Sequence, residues 1–481
     1  MGAGAKGGLA ATPAIAGGEV GLPVAENGLL LATAPKLRFI DTTFYALVMM
    51  VGLRWLAVAA AVGPAALPLW ALAFLTFFVP LSVATADLTA QFPGEGGLYT
   101  WVRETFGPLS GFLCGWFYWL GLLPYFAGIL YFTSGLILSV AGLPAQGAAL
   151  YLPLSLLLGV FVTALQFAGL RGSKWFTNFG AAGTWIIFLS LVLLAALFLV
   201  RGQSAANFHG ASYLPPANFD TAILWGTVVF AFCGSETVAF LQDEVKGGRR
   251  TINFVLAALG VSLTLIYGVG TAAMLLLLPK AELTRLTGLP DALHAAFAHA
   301  GMPMLANAAI GFLALAMLGG LTAWFGIGTR LAVAAGSDHR LPAVFARRHP
   351  KTGAPGPAII LMGAMTLFMV VLGQAGASAT AAYDFLVAMG VLAATVPYVF
   401  VFAAYLKRLG AQGGRLRLAL GVVGLSATLV AIACTLVPSG SDPHPGATFL
   451  KIVIATLAAT LAGLLFFWSG NRRRIAVGSV A

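Results

Sequence analysis

Long apolar runs follow one another from about residue 40 to residue 469, separated by short polar or basic segments. The runs fall near 40–62, 66–90, 107–140, 149–170, 178–200, 219–241, 252–278, 303–334, 355–373, 382–406, 416–437 and 448–469. Each is long enough for a helix to cross a hydrocarbon core about 30 Å thick. The third and eighth are longer than a perpendicular crossing needs, so they are expected to tilt or to extend past the bilayer. The prediction is an all-α integral membrane protein of about twelve transmembrane helices.

The sixth run is where this pattern breaks. Phe230-Ala231-Phe232 leads into Cys233-Gly234-Ser235-Glu236, and the chain turns apolar again through Phe240. A carboxylate inside a lipid-compatible run is costly and marks a functional site by default. Irregular backbone at membrane depth survives only where it lines a cavity or is buried in protein. A helix interrupted at Gly234, with Glu236 beside the break, is therefore the expected centre of a transporter. The plain alternative is a glycine kink beside a buried acid.

The first run carries a matching interruption, Val51-Gly52-Leu53-Arg54. Asp41-Thr42 opens this run and Asp220-Thr221 opens the sixth, each pair placed to cap a helix start. From Asp41 to Gly52 is 11 positions, about 16 Å of helix, and from Asp220 to Gly234 is 14, about 21 Å. Both glycines thus fall near the midplane. Five spans separate the two starts, so the halves have opposite topology. Interrupted helices in matching positions of inverted halves point to a binding site. Arg54 either pairs with Glu236, meets a substrate carboxylate or reaches a water-filled vestibule.

Composition agrees with the membrane reading and removes others. The 481 residues are 60% hydrophobic and 9% charged, against about 25% charged in soluble domains, and the mean hydropathy is +0.94. The net charge of +11 is a matter of topology. With the N-terminus inside, only Arg201, Lys280, Arg285 and Lys451 fall outside, and Arg54 falls within the membrane; every other Lys and Arg is cytoplasmic. Nucleic acid is not needed to explain the charge. Cys114, Cys233 and Cys434 all lie in apolar runs and read as small buried hydrophobes, not as a metal site or disulfide framework. A membrane enzyme would want a cluster of His, Asp or Cys at one interface, and the sequence has none. It also lacks a G-x-x-x-x-G-K-[ST] loop for ATP. No catalytic residue, cofactor or metal is expected.

Residues 1–38 are Ala/Gly-rich and read as a disordered cytoplasmic tail without a cleaved signal peptide. Trp119 and Tyr125 on the third span and Trp324 on the eighth are candidate aromatic gates. Asp87 reads as an interface acid and Asp384 as a helix cap. Thr322 and Thr329 offer hydroxyls to a sodium ion, but no carboxylate stands near them in the sequence, so proton coupling or exchange is favoured. Lys174 reads as a cytoplasmic anchor.

Several stretches resemble the amino acid–polyamine–organocation superfamily. Phe232-Cys233-Gly234-Ser235-Glu236 is similar to its F-x-G-x-E on the sixth helix, and Asp243 to Ile252 to the exit segment that follows, with Gly and Asn253 in place of the usual prolines. Phe92 to Val102 resembles its P-x-x-G-G-x-Y loop, and Phe106 to Phe112 the entry to helix three. Arg330 to Pro342 resembles the end of helix eight. Where many members carry G-S/A-G in helix one, this chain has Val51-Gly52-Leu53-Arg54, closer to the branch of glutamate/γ-aminobutyrate antiporters.

The resemblance implies a five-plus-five inverted repeat (39–201 and 218–410, together the core 39–410), broken helices 1 and 6, two added C-terminal helices in 411–470, and a cytoplasmic tail 471–481. It implies an amino acid permease working by alternating access, a multi-pass protein of the cell membrane with both termini cytoplasmic. N–H groups at Val51, Gly52 and Leu53 would take a carboxylate, with Arg54 beside them. Carbonyls near Phe230, Ala231 and Phe232, with Gly234 and Ser235, would take an ammonium. Glu236 would couple a proton or gate, with Trp119, Tyr125 and Trp324. The expected partners are a small amino acid, the bilayer and protons, with the chain a monomer or homodimer. A polyamine or cationic amine transporter, or a non-transporting substrate sensor, are the other readings.

Overall fold

A computed structural model of the chain describes residues 38–92, 96–143, 148–205, 208, 213–216, 219–279, 288–338, 340–349, 353–373, 379–410, 414–435, 454, 456–458 and 460–470. The N-terminal tail, Pro93-Gly94-Glu95, Lys280, Arg285, Lys351, Lys451 and the C-terminal tail lie outside these residues, as do the side chains of Lys174, Asp220 and Asp384.

Among the described residues the elements are all helical. Nine helices are long and apolar enough to cross a membrane, and α1 (Phe39–Met50) with α2 (Arg54–Ala60) passes the same test as a pair bent by 48°. The chain is a multi-pass membrane protein. The second span is α3 (Ala66–Ala73) and α4 (Val79–Gln91), joined by a π-helical turn, Phe74–Phe78. Then come α5 (Gly97–Phe106), α6 (Pro108–Val140), α7 (Ala148–Gln166) and α8 (Gly169–Val200). α9 (Phe219–Ala231) breaks at 232–234 into the 3₁₀ segment Ser235–Glu244. α10 (Gly248–Thr264) runs through a second π turn, Leu265–Val269, into α11 (Gly270–Leu277). α12 (Gly288–His299), α13 (Pro303–Ser337), α14 (Gly356–Gly373), α15 (Ala379–Leu409) and α16 (Arg415–Thr435) follow, and an apolar helix covers Thr456–Gly470.

Several expectations shift. Asp41-Thr42 does not cap α1: the helix starts two residues earlier, and Asp41 at its third position accepts from the Arg38 N–H at 3.3 Å. That bond places an acid in the first turn, where the helix dipole favours it. Asp384 is not the cap of its helix either, since α15 already begins at Ala379. The fifth helix starts at Gly169, well before residue 178, because charged residues are tolerated on a helix end outside the hydrocarbon. α5 and α12 were not foreseen. α12 buries Leu289, Ala292, Leu293, Ala296 and Phe297, one helical face, on the rest of the protein.

α6 packs along α15, and α8 along α13. Gly180 and Gly319 let the second pair close: a Cβ added to either would stand under 3 Å from the other's Cα. Small residues at such crossings are how membrane helices gain contact area without a hydrophobic drive. One continuous core of buried apolar side chains surrounds the two helix breaks.

The end of the molecule holding α5 and the C-termini of α13 and α15 is polar. Asp338 accepts from Tyr99 Oη at 2.5 Å and Arg103 Nη1 at 2.6 Å, fixing α5 to the end of α13. Burial, then the hydrogen bond to Asp338, pushes the Tyr99 phenol well above its ordinary range. Lys407 Nζ donates to the Thr105 carbonyl and Arg408 Nε to its hydroxyl. Asp87 lies between Arg249 at 3.4 Å and Arg417 at 3.5 Å, which joins α4, α10 and α16 and fits the interface role expected of it.

Candidate functional site

The two breaks face each other. α1 ends at Met50, and the chain is extended at Val51 before α2 starts at Arg54. A Cβ on Gly52 would sit 2.4 Å from the Trp55 ring, so any other residue there must displace that ring. At the second break Gly234 has φ +120°, a conformation open to glycine and strained for other residues. A Cβ there would also meet Met50 at 2.9 Å.

Between the breaks lies a cavity of about 30 Å³, room for two or three waters and too small for an amino acid. Met49 and Met50 come from the first break, Phe230, Ala231 and Cys233 from the second. Trp55, Tyr118, Tyr125, Trp324 and Tyr398 complete an aromatic wall from α2, α6, α13 and α15. Tyr125 and Trp324, two of the candidate gates, line this cavity. Trp119 does not line the cavity. One helical step of about 100° turns it away, to stack on Trp116 at 6.1 Å, and its neighbour Tyr118 takes the cavity position.

Glu236 is fully buried behind this wall. Its Oε1 accepts from Tyr118 Oη at 2.6 Å and Tyr398 Oη at 2.8 Å, and its Oε2 from the Gly234 N–H at 3.1 Å. Arg54 is not among its partners, so the Arg54–Glu236 pair is not formed here. The buried Arg54 guanidinium instead lies over the Trp55 ring at 4.3 Å and the Tyr125 ring at 5.0 Å. These side chains, with Phe230, Pro124, Gly128 and Gly390, border a second small cleft that shares the Trp55, Tyr125 and Phe230 walls of the first.

Much of the unwound backbone is already engaged. Val51 N–H donates to the Leu47 carbonyl and Gly52 N–H to Tyr267 Oη. The Met49 carbonyl accepts from Trp324 Nε1 at 2.6 Å. The Ala231 carbonyl accepts from Tyr267 Oη at 3.0 Å and the Phe230 carbonyl from the Cys233 N–H. Leu53 is fully buried at the break; Ser235 is buried beside Glu236, and its hydroxyl has no hydrogen-bond partner among the described residues. Phe232 points away from the cavity into a ring cluster with Trp70, Phe74, Phe78 and Tyr267. Thr322 and Thr329 bond carbonyls of their own helix, Leu318 and Gly326.

The amino acid permease family matches residues 37–465, nearly the whole chain. The protein belongs to that family. It is a permease of the amino acid–polyamine–organocation superfamily, a group of permeases and transporters. An uncharacterized transporter of Legionella pneumophila is 27% identical over 359 residues, 74% of this chain and 77% of that one. A Lactococcus lactis protein named "Probable agmatine/putrescine antiporter" is 22% identical, covering 73% and 75%. A glutamate/gamma-aminobutyrate antiporter of Lactococcus lactis is 23% identical, covering 69% and 67%.

The two breaks, Glu236, Tyr125 and Trp324, all legible in the sequence, lie together at or just behind the cavity. Sequence reasoning missed Tyr118, Tyr398 and Tyr267, the three phenols that bond the acid and the breaks. A signal existed for Tyr267, the one tyrosine in the seventh apolar run. For Tyr118 the signal was helical phase, which a single run of aromatics leaves open.

Proposed function

We infer that this permease moves a small amino acid with a free carboxylate across the cell membrane by alternating access, coupled to protons or to exchange. One observation carries the reading: the cavity is walled by both helix breaks at once, so substrate held there touches both halves. The contracted volume of about 30 Å³ belongs to a site that must open to load. Arg54, on the cleft that adjoins the cavity, supplies a cation for the substrate carboxylate, and the Leu53 N–H adds a donor. The Ala231 carbonyl and the rings of Tyr118, Trp324 and Tyr398 face the ammonium, with the Glu236 carboxylate behind them.

The inverted repeat is part of this proposal: 39–201 and 218–410, with the helices of 411–470 added, and both termini cytoplasmic. Two features support it. The third span packs on the tenth as the eighth packs on the fifth, the exchange that a five-span repeat requires. The second helix of each half carries a π turn, Phe74–Phe78 and Leu265–Val269.

A second reading, a polyamine or cationic amine, is favoured by the ring-rich wall, which suits a cation. Counterflow in proteoliposomes loaded with leucine, glutamate, γ-aminobutyrate, arginine or putrescine separates them. Counterflow of at least one carboxylated amino acid, lost in Arg54→Gln, is expected. Putrescine flux that no amino acid competes for would favour the second reading, and no flux at all would sink both.

A further inference from the structure

Tyr267 lies in the π turn Leu265–Val269 and is fully buried. Its ring is stacked on Trp70 at 4.4 Å and meets Phe232 edge-on at 5.4 Å. This wedge fixes where the hydroxyl can be. Three backbone groups reach it there: the Gly52 N–H at 3.2 Å, the Met50 carbonyl at 2.9 Å and the Ala231 carbonyl at 3.0 Å. The first two flank the break in span one, and the third ends α9 at the break in span six. Among the described residues, Tyr267 is the side chain that hydrogen-bonds to both breaks.

A phenol has one proton to donate and lone pairs to accept with. The Gly52 N–H fills an acceptor position. The single proton then goes to Met50 or to Ala231 at any moment, never to both. Each carbonyl is the C-terminal end of a half helix, where negative partial charge collects, and both residues line the cavity. A ligand that donates to one carbonyl therefore decides where the phenol proton goes.

We propose that Tyr267 is a positioning residue that couples the two breaks. Its hydroxyl holds them as one unit, and an ammonium bonded to the Ala231 carbonyl turns the phenol proton toward Met50. Occupancy at the second break is thereby felt at the first. The ammonium step rests on the transport reading above; the mechanical link does not.

Tyr267→Phe keeps the ring and removes the hydroxyl. Tyr131→Phe is the matched control, because Tyr131 Oη donates to the Val370 carbonyl at 3.0 Å, a buried phenol–carbonyl link between α6 and α14 away from the breaks. Hydrogen–deuterium exchange of the full chain in nanodiscs reads peptides covering 46–53 and 228–236. In wild type and Tyr131→Phe the two peptides should be equally protected. In Tyr267→Phe they should separate by roughly tenfold in rate, the weight of one buried hydrogen bond. Equal protection in Tyr267→Phe, or the same separation in Tyr131→Phe, overturns the link. In proteoliposomes the Tyr267→Phe counterflow should fall roughly tenfold while substrate binding changes by less than about threefold. Counterflow at the wild-type rate overturns the ammonium step. If wild type carries none of the panel, the transport reading fails, and the exchange experiment still decides the link.

Discussion

Tyr118 Oη donates to Glu236 Oε1 at 2.6 Å, tying α6 to the break in the sixth span across 118 positions of sequence. Tyr398 donates to the same oxygen, so two helices outside the broken pair are keyed to one carboxylate. Glu236→Gln keeps a carbonyl acceptor for both phenols and should fold, keep part of its exchange activity and flatten the pH dependence of uptake. Glu236→Ala leaves two buried phenols and the Gly234 N–H without an acceptor, at about 1–3 kcal/mol per unsatisfied group. It should lower the thermal midpoint and abolish uptake. A Glu236→Gln protein with the parent pH profile would remove Glu236 from the coupling step.

The glycines at the breaks differ in how they should fail. Gly234→Ala puts a Cβ at φ +120°, a backbone strain of about 1–3 kcal/mol, and should reduce stability measured by thermal unfolding in detergent. Gly52→Ala meets the Trp55 ring at 2.4 Å, and the ring must swing into the cavity. Its main effect should be on substrate affinity. Equal affinity in Gly52→Ala and wild type would show that Trp55 has another way to move.

Trp324 and Trp119 should separate cleanly. Trp324 lines the cavity and bonds the Met49 carbonyl at the end of α1. Trp324→Phe should slow counterflow by roughly tenfold, as one buried hydrogen bond is lost. Trp119 stacks on Trp116 off the cavity, so Trp119→Phe should stay within about twofold. The reverse order would mean that the cavity is not the transport site.

Tyr99 gives a pH test outside the spans. Its bond to Asp338 needs the neutral phenol, and the folded value is raised above the unfolded one. The stabilisation is therefore complete below about pH 10, the unfolded phenol value, and is lost only as pH rises through the raised folded value. The loss on Tyr99→Phe, about 1 kcal/mol, should be the same at pH 6 and pH 9 by thermal unfolding. A loss that shrinks between those values would place the titration lower than the burial of Tyr99 implies.

Both termini are proposed to face the cytoplasm. A Lys351→Cys protein in intact cells should resist an impermeant maleimide and react after permeabilisation. Labelling from outside would reverse the orientation.

The sequence by itself determined the membrane class, most of the apolar helices and the two interruptions. Lipid makes these local: twenty apolar residues, a glycine and a buried charge each carry their cost wherever they stand in the chain. It also showed that Glu236 and Arg54 had to be accommodated. Only the tertiary structure decided by whom. Glu236 is held by phenols from spans three and ten, Arg54 lies on the rings of Trp55 and Tyr125, and Tyr267 reaches both breaks. Those pairings depend on which faces of α6, α15 and the seventh span turn inward. In helices apolar all round, the sequence carries almost no signal of that rotation. Trp119 and Tyr118 are adjacent in sequence, and one helical step put the second, not the first, on the cavity.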